Sequence, residues 1–246
     1  MSVRLLAVPG SHPCASVAAM LDAKGVAYER VDLLVPLSRI WLRLTGFGAG
    51  TVPALRLDGA RVQGSIAIAR ALDARWPEPP LFPSEPAARA RVEEIEAWGD
   101  GPLQSVARRI ILWTLLHSPD GVRAASKDAK LRLQPPDHLL YPASWPLLRV
   151  DAFINGATAD TVQTDLAALP EMLERVDASI ANGEVGGDPP TAADYQIAGS
   201  LRLLLTIDDL APVFAGRPAA ELAYRLIPTL AGHVPAGVLP AAWLRS

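Results

Sequence analysis

The sequence has few of the residues on which disulfide-linked and metal-binding proteins depend. It contains one cysteine, Cys14, which excludes an internal disulfide and a cage of cysteine ligands around a metal. The histidines His117, His138 and His233 are scattered, and none has a partner at the spacing of a metal site. We therefore expect no metal centre.

Long apolar runs and clusters of basic residues are also missing. The longest tight apolar stretch, around residues 110–116, is far shorter than the roughly 20 residues that span a bilayer. The apolar segment at the N-terminus is too short for the core of a signal peptide. The net charge is −3, and no run of Lys or Arg forms a phosphate-binding stripe. We expect a cytoplasmic protein that binds neither membranes nor nucleic acid.

The composition that remains is that of a globular protein. The chain has 246 residues, of which 50% are apolar and 20% charged, so one large or two ordinary domains with a sizeable core are possible. Charge is unevenly spread, because residues 1–80 hold nine Lys/Arg and six Asp/Glu while the rest is acidic. A mildly basic first part suits a small anionic ligand.

The first 80 residues alternate strand and helix patterns. Apolar or alternating runs predict strands at 3–8, 28–33, 52–57 and 60–63, and helical spacing predicts helices at 14–24, within 35–50 and after Ser65. Gly25 stands where a helix commonly ends, and Asp58-Gly59 is a two-residue hairpin signal. The predicted order is βαβαββα, with a parallel pair in the first βαβ unit.

Five prolines between residues 77 and 86 mark a linker, since proline interrupts both helices and sheets. The expected domains are residues 1–77 and 87–246, joined by residues 78–86. Beyond the linker the periodicity predicts only helices, at 87–117, 161–182, 191–207 and 219–232, with a bend of the first near Gly99–Pro102. Residues 118–146 show no clear pattern and are interpreted as a loop or lid with a short helix.

The segments 51–55, 63–68 and 191–195, in this order, resemble motifs of the glutathione S-transferase superfamily. The segment 51–55 (TVPAL) resembles the cis-proline segment of thioredoxin-like folds, and 63–68 (QGSIAI) resembles the turn into the third helix of glutathione transferases. The segment 191–195 (TAADY) resembles the capping box in the helical domain of that family. The resemblance implies a thioredoxin-like βαβαββα domain followed by an all-helical domain.

The resemblance also implies a site for glutathione or a related low-molecular-weight thiol. Its residues are Val52, Pro53, Gln63, Gly64 and Ser65. A cis Val52-Pro53 bond would turn the Val52 backbone toward the thiol, and Ser65 at a helix N-terminus would hold the γ-glutamyl carboxylate. The family usually has an acidic residue where this chain has Gly64, and Gln63 is a candidate substitute for it.

Two catalytic residues are possible in the segment between the first strand and the first helix. Ser11 aligns with the catalytic serine or cysteine of many transferases, where its hydroxyl would stabilise a thiolate. Cys14 is the rival, because a thiol in a first helical turn can form a mixed disulfide with glutathione. His12 is expected to be a loop residue, although it could act as a base.

The predicted function is therefore a transferase that conjugates the thiol to a small electrophile, as in detoxification. Two alternatives stay open: a non-catalytic binding module with the same fold, and a thiol-disulfide reductase that uses Cys14. The resemblance further implies a homodimer.

Overall fold

The computed structural model of the chain describes residues 2–33, 35–127 and 136–244. Its first part is a mixed sheet of four strands, β1 (Val3–Ala7), β2 (Glu29–Asp32), β3 (Ala54–Leu57) and β4 (Ala60–Gln63). The spatial order is β2-β1-β3-β4, with β1 parallel to β2 and the other pairs antiparallel. Three helices accompany it: α1 (His12–Ala23), α2 (Val35–Leu44) and α3 (Ser65–Arg75). The predicted βαβαββα order is confirmed.

Alternation along the strands places apolar side chains on both faces of the sheet. Leu5 of β1 belongs to the main core, which also contains residues of α1 and α3 such as Val17 and Leu72. Its neighbour Leu6 points to the opposite face and packs with Leu42 of α2. The sheet is thus covered by α1 and α3 on one side and by α2 on the other.

The second part is helical, as predicted. Its helices are α4 (Pro86–Trp98), α5 (Gln104–His117), α6 (Pro119–Lys127), α7 (Asp137–Ile154), α8 (Ala159–Ala181), α9 (Ala192–Leu204), α10 (Ala211–Phe214) and α11 (Pro218–Leu226). The predicted bend is a π-helical turn, Gly99–Leu103, between α4 and α5. No helix within the described ranges is long and apolar enough to cross a membrane.

Two predictions in this part were wrong or incomplete. The segment 118–146, interpreted as a loop or lid with a short helix, contains α6 and the first half of α7, while residues 128–135 lie outside the described residues. The helix predicted for 219–232 ends at Leu226, since Ile227 has a non-helical backbone conformation before Pro228. Proline disfavours a helical conformation of the preceding residue, which explains the early end.

Helix α9 lies at the centre of the molecule and contacts α1, α4, α5 and α11. It begins with the predicted capping box, in which the Thr191 N–H donates to the Asp194 carboxylate at 2.7 Å. At its crossing with α1, the Ser16 hydroxyl donates to the Tyr195 carbonyl at 2.8 Å. A Cβ atom at Gly199 would lie 2.1 Å from the Ser16 Oγ, so glycine is what allows this close approach.

The proline-rich segment is fixed to both parts of the chain. The buried Lys24 ammonium donates to Asp73 at 3.0 Å and to the carbonyls of Trp76 and Pro79 at 2.5 and 2.7 Å. On the other side, the Ala192 N–H donates to the Leu81 carbonyl at 2.9 Å. One apolar core continues from the sheet into the helices. The homodimer and the exact domain limits stay predictions.

Candidate active site at one edge of the sheet

The strand register gathers most of the predicted site at one edge of the sheet. Leu6 near the end of β1 pairs with Ala54 at the start of β3, and Ala54 pairs with Gln63 at the end of β4. The segments that leave these strands therefore lie side by side. They carry Ser11 after β1, Val52-Pro53 before β3, and Gly64-Ser65 after β4.

Ser11 is the residue that precedes α1, and its hydroxyl makes no capping bond to the helix backbone. It hydrogen-bonds instead to the thiol of Cys14. Cys14 is fully buried, and burial raises the pKa of its thiol; the hydrogen bonds from Ser11 and from the Val8 backbone only partly oppose this effect. Cys14 is thus held as a neutral thiol beneath Ser11.

His12 is the first residue of α1 and is buried, so the expectation of a loop residue was wrong. Burial, and next the positive charge of Arg108, lower the pKa of its imidazole to about 3. Its Nε2 atom is enclosed and has no hydrogen-bond partner among the described residues. His12 is therefore neutral at physiological pH.

The Val52-Pro53 bond is cis. The Pro53 carbonyl accepts a hydrogen bond from the Gly64 N–H at 3.0 Å, which joins the two segments of the predicted thiol site. Within the described part of the chain, the Val52 backbone has no hydrogen-bond partner. Its N–H and C=O groups remain available to pair with an extended ligand.

The Gln63 side chain is occupied by the protein itself. Its amide accepts from the Ala49 N–H at 2.9 Å and donates to the carbonyls of Ala49 and Thr51 at 2.7 and 2.6 Å. These bonds hold the glycine-rich segment that precedes Val52. In the structure Gln63 positions the neighbouring backbone and does not point a free acceptor at the site.

Ser65 is the first residue of α3, and Gly64, with a φ of 88°, is the residue that precedes the helix. The N–H groups of Ser65, Ile66 and Ala67 lack acceptors within the helix, as at any helix start. The buried Ser65 hydroxyl donates to the Asp100 Oδ1 at 3.1 Å. Asp100 thus brings a negative charge from the helical domain to the N-terminus of α3.

Sequence reasoning missed Asp100 as a site residue. Gln196 of α9 donates to the same Oδ1 at 3.0 Å, and Gln104 donates to the Asp100 carbonyl at 3.1 Å. The Oδ2 atom has no hydrogen-bond partner in the ranges described. The feature that could have indicated Asp100 is the Gly-Asp-Gly-Pro segment, which forms the π-helical turn. Turns of this kind often occur at functional sites.

The described residues hold no group of His, Cys, Asp and Glu that could bind a metal ion.

A cavity of about 930 Å³ begins at Pro9, Gly10 and Ser11 and extends along α1, away from Val52 and Ser65. Ser11 is therefore shared by the sheet edge and by this cavity.

Comparisons with known proteins agree with this architecture. The family model of the glutathione S-transferase N-terminal domain matches residues 5–80. A glutathione S-transferase structure from Sinorhizobium meliloti 1021 matches with a TM-score of 0.62 at 18% identity, over 100% of this chain and 99% of that one. One from Rhodospirillum rubrum F11 matches with a TM-score of 0.60 at 20% identity, over 99% and 98%.

A third similar structure is maleylacetoacetate isomerase from Anaeromyxobacter dehalogenans 2CP-1, crystallised with GSH in its active site. It has a TM-score of 0.53 and 21% identity, over 92% of this chain and 89% of that one. No curated protein matches the chain. Residues 5–80 thus match the N-terminal domain of glutathione S-transferases, and the chain as a whole has the fold of the similar structures.

Proposed function

We propose that the protein is a glutathione-transferase-like enzyme that conjugates glutathione, or a related low-molecular-weight thiol, to a small electrophile. The observation that carries the proposal is the meeting of the Ser11 hydroxyl, the unpaired Val52 backbone and the Ser65–Asp100 pair at one sheet edge. A similar structure, the isomerase described above, was crystallised with GSH in its active site, which supports the same class of ligand.

The thiol would lie along this edge in an extended conformation. Its peptide groups pair with the Val52 N–H and C=O, as an added strand does. Its γ-glutamyl carboxylate meets the N–H groups at the start of α3, where the helix dipole favours negative charge. The Ser65 backbone and hydroxyl stand at this position.

Asp100 supplies the acidic group that is missing at Gly64. The Ser65–Asp100 hydrogen bond places its carboxylate beside the N-terminus of α3, and Oδ2 is left without a partner among the described residues. A free amino-acid head group carries an ammonium and a carboxylate on one carbon. Asp100 and the α3 N-terminus are arranged to bind these two charges together.

Ser11 stabilises the thiolate. A thiol with a pKa of about 8.5 is only a few per cent ionised at neutral pH. Hydrogen bonding to Ser11 and the N-terminus of α1 favour the anion, and lowering the pKa by two units corresponds to about 2.7 kcal/mol. The thiol proton passes to solvent, and the sulfur then forms a bond to the electrophilic carbon as the leaving group departs with its electron pair.

The environment of Cys14 favours Ser11 over the reductase alternative. A nucleophilic cysteine needs an accessible thiolate. Cys14 has no exposed surface, and burial raises the pKa of its thiol. We assign Cys14 to the packing beneath the site.

Isothermal titration with reduced glutathione at pH 7 tests the thiol site. We expect micromolar to low-millimolar binding that is weakened roughly tenfold by Ser65→Ala, which removes a hydroxyl beside the carboxylate, and by Asp100→Asn, which removes the charge that faces the ammonium. Ser84→Ala, in the exposed proline-rich segment, is the matched control and should bind as the wild type does. Absence of binding at several millimolar would contradict the proposal.

A second measurement separates catalysis from binding. Ser11→Ala should keep the affinity for glutathione but slow conjugation to 1-chloro-2,4-dinitrobenzene and move its pH profile upward, since the thiol would ionise at higher pH. Binding without turnover of any electrophile would instead favour the non-catalytic module. Activity lost in Cys14→Ser but kept in Ser11→Ala would favour the reductase alternative.

A further inference from the structure

Helix α2 carries apolar side chains that no described part of the protein covers. Ile40 is 58% exposed, Trp41 52% and Leu44 79%. The opposite side of the helix packs on the sheet, where Leu42 is buried in a cluster with Leu6. Packing within the protein therefore accounts for the inner side of α2 and leaves the outer side unexplained.

Arginines border these apolar side chains. Residues four positions apart share a helix face, so Ile40 and Leu44 lie together in the middle of the outer side. Arg39 and Arg43 form one edge of this side, and Trp41 lies at the other edge. Both arginines are exposed, and neither has an acidic partner among the residues that the structure describes. The outer side of α2 is thus both apolar and positively charged.

Two more arginines extend the positive charge at the C-terminus of α2. Arg56 and Arg61 are cross-strand partners in β3 and β4. Both donate to the Thr45 carbonyl, at 2.9 and 3.0 Å. A guanidinium group has five N–H donors, so each of the two keeps donors for a further acceptor. Four guanidinium groups therefore lie on α2 or beside its end.

No negative charge in this part of the sequence opposes the arginines. Residues 33–57 contain neither Asp nor Glu. The acids on either side of this range are occupied, because Asp32 accepts from Arg30 at 2.8 Å and Asp58 accepts from the Ser2 N–H at 3.0 Å. The whole chain has a net charge of −3, so the positive charge around α2 is a local feature.

We propose that α2 docks the protein on the surface of a bilayer that contains anionic lipids. Ile40 and Leu44 enter the boundary between the headgroups and the acyl chains, as the apolar face of an interfacial helix does. Trp41 lies at the level of the headgroups, where tryptophan is enriched in membrane proteins. Arg39 and Arg43 bind the lipid phosphates. The proposal is independent of glutathione and of the proposed conjugation.

Two features favour a lipid surface over other anionic partners. On a nucleic acid, whose backbone binds proteins through charge, the exposed Ile40 and Leu44 would gain nothing. Leu44, at 79% exposure, projects from the protein. The acyl region accepts projecting side chains of any shape, whereas a protein partner must offer a matching groove.

The sequence predicted no membrane binding because its apolar runs are too short to span a bilayer. A helix that lies in the plane of the interface needs no such run.

Sedimentation of the full chain with lipid vesicles tests the proposal. One set of vesicles contains phosphatidylcholine alone, and the other contains equal parts of phosphatidylcholine and phosphatidylglycerol. We expect the anionic vesicles to bind roughly tenfold more tightly than the neutral ones, since several arginines act together on an anionic surface. Added salt should weaken this binding, because it screens the charges.

Two double variants separate the apolar contribution from the charged one. Ile40→Asn/Leu44→Asn should weaken binding to anionic vesicles roughly tenfold, because it removes the apolar contacts. Arg39→Gln/Arg43→Gln should weaken it by about as much, because it removes two charges. All four side chains are exposed, so both variants should fold, and circular dichroism checks this.

The exposed side of α7 supplies the matched controls. Val150→Asn/Phe153→Asn changes two apolar side chains that are 58% and 86% exposed, and Arg149→Gln removes an exposed arginine. Both should bind the anionic vesicles as the wild type does. The proposal is overturned if anionic vesicles do not bind, if neutral vesicles bind equally well, or if the α7 variants lose as much affinity as the α2 variants. Binding to polyglutamate without binding to vesicles would also overturn it, in favour of an acidic protein partner.

Discussion

The crossing of α1 and α9 permits a quantitative prediction at Gly199. An alanine there would place its Cβ 2.1 Å from the Ser16 Oγ and 3.0 Å from the His12 carbonyl oxygen. The Ser16 hydroxyl must then leave its acceptor on Tyr195, and the two helices must separate slightly. A lost buried hydrogen bond costs about 1–3 kcal/mol and crowding about as much again, while alanine returns about 1 kcal/mol of helix propensity.

We therefore expect Gly199→Ala to lower the free energy of unfolding by about 3 kcal/mol, or roughly 10 °C in the thermal midpoint for a chain of this size. Differential scanning calorimetry or a thermal melt followed by circular dichroism measures the change. Gly101→Ala is the control, since a Cβ there meets nothing within 4 Å. It should be neutral or slightly stabilising.

The double variant Ser16→Ala/Gly199→Ala tests the assigned cause. Removing the Oγ relieves the 2.1 Å contact and leaves only the 3.0 Å contact with the His12 carbonyl oxygen. The double variant should therefore be more stable than the sum of the two single changes predicts. A Gly199→Ala melt within 1 °C of the wild type, or strictly additive losses, would refute the reasoning.

Two further predictions concern the first turn of α1. The Cys14 thiol, buried and with a raised pKa, should resist iodoacetamide in the native protein at pH 8 and react only on unfolding; rapid native alkylation seen by mass spectrometry would contradict its burial. For His12, the pKa of about 3 in the folded protein lies below the ordinary value of 6.5. The contribution of neutral His12 to the free energy of unfolding is therefore complete above pH 6.5 and is lost as the pH falls toward 3. Urea unfolding at pH 7 and at pH 4.5 should show that the free energy of unfolding falls more in the wild type than in His12→Leu. Equal decreases in the two proteins would contradict the assigned role of His12.

Local patterns predicted the sheet because each of its elements carries its own signal. The Asp58-Gly59 turn joins β3 and β4, with positive φ values of 49° and 91° at the two residues. Gly25, with a φ of 63°, follows the end of α1 as expected. In both places a residue type and a backbone conformation are linked directly, so no tertiary information is needed.

Other features depend on contacts between distant residues. The Ser65–Asp100 hydrogen bond joins two domains between residues that are 35 positions apart in the sequence, and no local pattern predicts it. Helix α7 contains Pro142 and Pro146, and because prolines usually interrupt helices, the sequence did not predict a helix there. Tyr195 was noted only as the last residue of the segment 191–195, because the cavity that it lines forms only when α1 and the segment 225–231 are assembled.

The Lys24 ammonium has a consequence for the mobility of the linker. A proline-rich linker suggests a hinge, yet a charge with no exposed side-chain surface holds the start of this one, at the Pro79 carbonyl, against α1. Freeing the linker there would take an acceptor from a buried cation, which is costly. The start of the linker therefore moves with the first domain, and the apolar core shared by sheet and helices opposes separation of the domains.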